Sequence, residues 1–88
     1  MKKNEFLEKV EKEINPIGGK IIQFLEDKKE FGNITLIINI NGTEHTYETD
    51  RGEILLNRKT VFPVFHDFGS YLPKYEKLLL AVKKTLQL

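Results

Sequence analysis

The stretch Ile34-Thr35-Leu36-Ile37-Ile38-Asn39-Ile40-Asn41-Gly42-Thr43-Glu44-His45-Thr46-Tyr47-Glu48-Thr49 decides the fold. Ile34, Leu36, Ile38 and Ile40 alternate with Thr35, Ile37 and Asn39, which is the period of a strand with one buried face. Asn41-Gly42 is the dipeptide best suited to the positive φ angles of a type I′ turn. Beyond it, Thr43, His45, Tyr47 and Thr49 alternate with Glu44, Thr46 and Glu48. The segment therefore reads as an antiparallel hairpin. A hairpin alone is only marginally stable in water, so it needs further strands or a helical cover.

The cover is written at both ends. Residues 3 to 14 read as an amphipathic helix, with Phe6, Leu7, Val10 and Ile14 on one stripe. Glu5–Lys9 and Glu8–Lys12 are charge pairs in the favourable order along that helix. Asn15-Pro16 ends it, because the residue before proline is driven out of the helical region. At the other end Tyr75, Leu78, Leu79, Val82 and Leu86 form a second stripe, widened by Leu80 and Ala81. Ser70 is the expected N-cap of this helix, with Pro73 in its first turn. Lys83 and Lys84 fall where the helix dipole favours cations.

Between the first helix and the hairpin, Ile21, Ile22 and Leu25 of Lys20 to Asp27 would also fit a helix, but Gly18-Gly19 disfavours helix nucleation and the hairpin needs a third strand, so the segment reads as a strand. Its apolar residues, Ile21, Ile22, Phe24 and Leu25, suit a strand buried on both faces. A polar turn follows. Asp50-Arg51-Gly52 ends the hairpin, and Glu53 to Leu56 reads as a fourth strand or a helical turn capped by Asp50. Asn57-Arg58-Lys59-Thr60 is expected to be polar and exposed. Val61 to Tyr71 reads as an irregular aromatic connector, because Pro63 interrupts a strand and Gly69 a helix. The expected architecture is α+β, in the order α-β-β-β-(β)-α: a small antiparallel sheet of three to four strands with both helices on one face.

Eighty-eight residues form one compact domain, residues 1–88. With no cysteine, neither a disulfide framework nor a thiolate zinc site supports the core, and a reducing compartment is expected. Fourteen basic and thirteen acidic residues give a net charge of +1. That balance argues against a strongly basic nucleic-acid binder and against an acidic mimic of nucleic acid. No apolar run approaches the roughly 18 residues that span a bilayer. Met1-Lys2-Lys3-Asn4-Glu5 leads into a charged helix and not an apolar core, so no signal peptide is expected and the setting is read as cytoplasmic.

The chemistry-bearing residues are sparse. His66-Asp67 is the one adjacent His/Asp pair, and His45 is the only other histidine, so a metal site lacks ligands. Gly18-Gly19-Lys20 lacks the upstream glycine and the Ser or Thr of a P-loop. Glu44 and Glu48 share a strand face about 13 Å apart, from a rise of roughly 3.3 Å per residue. That is too far for a glycosidase pair, which needs roughly 5–9.5 Å. No catalytic residues, metal or cofactor are expected. The densest candidate surface is the aromatic connector: Phe62, Phe65 and Phe68 read as a plug for the open end of the core, or Phe65, His66, Phe68 and Tyr71 as an interface, joined by the strand face of Glu44 and Glu48. The basic doublets Lys28-Lys29, Arg58-Lys59 and Lys83-Lys84 form the alternative, a phosphate-tracking surface.

Two families are similar in outline. The element order resembles the double-stranded RNA-binding domain, with Phe6 to Ile14 as its first helix and the Asn41-Gly42 turn as its minor-groove loop. The lysine-rich helix start of that family corresponds here to Tyr71-Leu72-Pro73-Lys74-Tyr75-Glu76-Lys77. Its resemblance implies RNA binding through lysines. The size, the lack of cysteine, and the hairpin from Ile37-Ile38 through Asn41-Gly42 to Tyr47 resemble small phage-encoded inhibitors, including anti-CRISPR proteins. That resemblance implies a non-enzymatic phage or mobile-element inhibitor or accessory protein acting on a larger protein. The expected function is such an interaction module, with a nucleic-acid-binding domain as the alternative.

Overall fold

The computed structural model describes residues 1–29, 33–62 and 73–86. Helix α1 (Lys3–Ile14) leads through a single 3-10 turn at Asn15–Ile17 into five strands. They are β1 (Gly19–Asp27), β2 (Asn33–Ile40), β3 (Thr43–Asp50), β4 (Glu53–Leu56) and β5 (Lys59–Phe62). Helix α2 (Lys74–Thr85) completes the chain. All neighbours in the sheet are antiparallel and follow chain order, β1-β2-β3-β4-β5.

Three two-residue turns in succession build this meander. Asn41-Gly42, Arg51-Gly52 and Asn57-Arg58 all have positive φ at both central residues. That is the φ pattern of a type I′ turn, whose twist matches that of the flanking strands. The first is further held by Asn39, whose Oδ1 accepts the Gly42 N–H at 2.9 Å. It is also tied to the connector before β1: Asn41 donates its N–H to the Gly18 carbonyl (3.3 Å) and its side-chain amide to the Ile17 carbonyl (3.2 Å). Gly18 has φ +80°, and a Cβ there would lie 2.2 Å from Asn41 Oδ1. Only glycine fits that close approach.

The sheet is larger than the expected three to four strands, because β5 forms where a polar stretch and the start of the aromatic connector were read. The Asn57-Arg58 turn lacks the glycine that advertises such a hairpin. Asn57 replaces that signal with two bonds to β3: its Oδ1 accepts the Thr46 N–H (2.9 Å) and its own N–H meets the Thr46 carbonyl (2.8 Å). Val61 and Phe62 therefore belong to a strand. At α2, the expected cap at Ser70 lies outside the described residues. The helix begins at Lys74 with Pro73 in the N-cap position, not inside the first turn.

The core lies between one face of the sheet and both helices. Ile34, Leu36 and Ile38 of β2, Tyr47 of β3 and Ile54 of β4 are buried against Phe6, Val10 and Ile14 of α1 and Leu78, Leu79, Ala81 and Val82 of α2. Thr49 is the one buried polar residue among those described, and its Oγ1 accepts the Ile34 N–H at 2.8 Å. At the β1 side, Phe6 stacks on Tyr75 with ring centroids 5.2 Å apart and meets Phe24 at 6.0 Å. Glu26 of β1 accepts hydrogen bonds from Lys74 and from the Tyr75 hydroxyl (2.6 Å), which fastens the start of α2 to the sheet. The Met1 amine lies 2.8 Å from Glu76 Oε1 and ties the chain start to the same helix.

Strand β1 departs from expectation. It is buried on one face only. A bulge at Ile22, between the pairs Ile21↔Ile38 and Gln23↔Ile37, shifts the alternation by one. Ile21 and Phe24 both pack toward the core, while Ile22 and Leu25 stay 47% and 55% exposed.

Candidate protein-binding face

The second face of the sheet carries no described helix. The strand register defines its residues. Leu25 of β1 stands opposite Thr35 of β2, Thr35 opposite Glu48 of β3, Glu48 opposite Leu55 of β4, and Leu55 opposite Thr60 of β5. The next row runs Gln23, Ile37, Thr46, and the one beyond it Lys20, Asn39, Glu44. Each row crosses the sheet on the side away from the buried Ile34, Leu36, Ile38 and Tyr47.

Two shallow hollows shape this face. One, of about 430 Å³, is lined by Thr35, Thr46, Glu48, Asn57 and Arg58. The other, of about 400 Å³, includes Leu25, Thr35, Glu48 and Leu55. Thr35 and Glu48 belong to both, so the hollows form one groove across β1 to β4. Its chemistry is mixed: aliphatic walls from Leu25 and Leu55, hydroxyls from Thr35 and Thr46, acids at Asp27, Glu48 and Asp50 and a base at Arg58.

The expected site residues distribute unevenly. Glu44 and Glu48 lie on this face, Glu48 in the groove and Glu44 exposed near the β2–β3 turn. Phe65, His66, Phe68 and Tyr71 lie outside the described residues. His45 stands opposite Ile38 on the core side and is half-buried there. The basic doublets are not gathered into one surface. Lys28 and Lys29 follow β1 at one end of the sheet, and the Lys29 N–H bonds the Asp27 carboxylate at 2.9 Å. Lys83 and Lys84 occupy the last turn of α2 toward the other end, where Lys83 lies 3.6 Å from Glu13 of α1. Arg58 shares the groove with Glu48, and Lys59 opens β5 opposite Leu56.

Leu25, Thr35, Ile37, Thr46 and Leu55 were not singled out in the sequence. The signal was present in the alternation itself: Thr35, Ile37 and Asn39 are the off-beat residues of β2. An isoleucine among them marks a face that is neither core nor fully polar.

A second cleft, of about 470 Å³, opens between the β3–β4 turn and the start of α2, with Ile54, Arg51, Lys74 and Lys77 in its lining. Lys74 there is held by Glu26. Among the described residues no group of three or more His, Cys, Asp or Glu side chains could hold a metal ion. Among them too, no helix is long and apolar enough to cross a membrane. Comparison of the chain with protein-family models, with curated proteins and with solved structures gives no match.

Proposed function

We propose that this chain is a non-enzymatic, cytoplasmic interaction module that binds a larger protein across the uncovered face of its sheet. It acts there as an inhibitor or accessory subunit, by occupying the partner's surface. The observation that supports this reading is the continuous groove through Leu25, Thr35, Thr46, Glu48 and Leu55, on a face that no described helix covers. A groove with aliphatic walls at Leu25 and Leu55, hydroxyls at Thr35 and Thr46, carboxylates at Asp27, Glu48 and Asp50 and a base at Arg58 suits a protein partner with complementary polar and basic groups. The nucleic-acid alternative has less support. Its three doublets sit at separate places on the fold, and Arg58 lines its hollow beside an acid, where a phosphate would be repelled.

The test is paired capture. Wild-type protein and the variants Thr46→Arg and Glu48→Arg are immobilised and exposed to the same cell lysate. A protein held by the wild type and lost by both variants, at unchanged melting temperatures, fits the reading. Equal capture by all three overturns it. So does tight binding of random DNA or RNA that weakens log-linearly with salt.

A further inference from the structure

The two edges of the sheet are unlike. Strand β5 is four residues long, begins with Lys59 and is followed in sequence by Pro63, so it is a short, poor template for another strand. Strand β1 is nine residues long, and among the described residues no strand pairs with its outer edge. Three large hydrophobic side chains are exposed among those described, Ile17, Ile22 and Leu25, and two of them lie on β1. A long apolar edge is the usual site of pairing with a further strand.

The sequence of β1 is complementary to itself. When two copies run antiparallel about an axis through Phe24, with Ile22 as the extra residue of the bulge, Lys20 stands opposite Asp27 and Gln23 opposite Leu25, each twice, and Ile22 lies beside the Gln23–Leu25 pair. In a regular strand this register would fail, since residues seven apart point to opposite faces. The bulge at Ile22 removes that obstacle. Lys20 pairs with Asn39 and Asp27 with Asn33, and these two partners are six residues apart on β2. Lys20 and Asp27 therefore share one face of the sheet, the uncovered one. The same bulge leaves Ile22 exposed beside the edge.

We infer that β1 is a self-association edge: two copies of this chain join antiparallel through β1, and their five-stranded sheets become one continuous sheet. Two Lys20–Asp27 pairs fix the register, and the Ile22 and Leu25 side chains of the two copies cover one another. The uncovered faces of the two copies then lie side by side. The inference does not depend on the partner reading, because it needs only the purified chain.

Sedimentation of the purified protein across a concentration series tests it, with charge reversal as the decisive arm. The wild type should reach the mass of two chains. Lys20→Glu places Glu opposite Asp27, and Asp27→Lys places Lys opposite Lys20. Each variant alone should self-associate roughly tenfold more weakly or worse, through two like-charge contacts. Mixed in equal amounts they should form the two-chain species again, because every pair is then of opposite sign. Ile22→Lys, at an exposed position, gives a third variant that should sediment as one chain with an unchanged melting temperature. A monomeric wild type overturns the inference. So does a two-chain species that persists in Lys20→Glu and Ile22→Lys, or a mixture that stays monomeric while both charge variants remain folded.

Discussion

The hydroxyl of Tyr47 on β3 lies 2.6 Å from the hydroxyl of Thr85 in the last turn of α2. Thr85 donates its own proton to the Ala81 carbonyl at 2.7 Å, so Tyr47 is the donor to Thr85. A fully buried ring thus ends in a bond that fixes where α2 stops over the sheet. Tyr47→Phe removes that bond and leaves Thr85 still satisfied by its helix. It should lower stability by about 0.5–1.5 kcal/mol. Tyr47→Ala should instead cost about 3–5 kcal/mol, enough to unfold much of a domain this small. Chemical denaturation of the two variants checks both values.

The Glu26–Lys74–Tyr75 cluster predicts how stability depends on pH. The hydrogen bonds from Lys74 and then Tyr75 hold the Glu26 carboxyl below the ordinary carboxylate range. Burial, and then the hydrogen bond to Glu26, push the Tyr75 phenol up to about 12. For Glu26 the stabilisation is present above the ordinary carboxylate value and is lost as pH falls through the lowered one. For Tyr75 it is complete below the ordinary value of 10.0 and is lost as pH rises toward about 12. Melting temperatures should fall at both extremes. Glu26→Gln should flatten the acid side. Tyr75→Phe should reduce the alkaline loss without abolishing it, because burial also raises the Tyr47 phenol. An unchanged pH profile in both variants would contradict the cluster's role.

The β4–β5 turn makes a prediction of opposite sign at adjacent residues. Asn57 and Arg58 have φ of 50° and 69°. Asn57→Ala strains the backbone and strips the Thr46 N–H of its acceptor, so it should destabilise by about 1–3 kcal/mol. Arg58→Gly relieves strain and restores the preferred Asn-Gly turn, so it should stabilise by up to about 1 kcal/mol. Thermal melts of the pair check the signs.

Much of this fold is legible in the sequence, for reasons that belong to particular residues. The β2–β3 hairpin could be read because the alternation of Ile34, Leu36 and Ile38 and the Asn41-Gly42 turn agree. The helices could be read because Phe6, Val10 and Ile14, and Leu78, Leu79 and Val82, recur at helical spacing. Strand β5 was hidden because its turn depends on a long-range bond from Asn57 to Thr46, which no local pattern records. The exposure of Ile22 and Leu25 was hidden because a bulge is a property of pairing and not of composition. The groove was partly visible, in Glu48 and in Arg58. Its other members look like ordinary strand residues until the register places Leu25, Thr35, Glu48 and Leu55 in one row.

One face of the sheet is committed to the core and the other is covered by no described helix, and the neighbours Leu36 and Ile37 report on the two faces separately. Leu36 is fully buried, and Ile37 lies in the row with Gln23 and Thr46 on the uncovered side. The direct measurement is the unfolding free energy of Leu36→Thr and Ile37→Thr, the same replacement at adjacent positions. Leu36→Thr should lose about 3 kcal/mol or more, from a cavity and a buried hydroxyl. Ile37→Thr keeps a β-branched residue on an open face and should lose less than about 1 kcal/mol. Comparable losses at both positions would show that the second face is also core, and would contradict the reading of it as a binding surface.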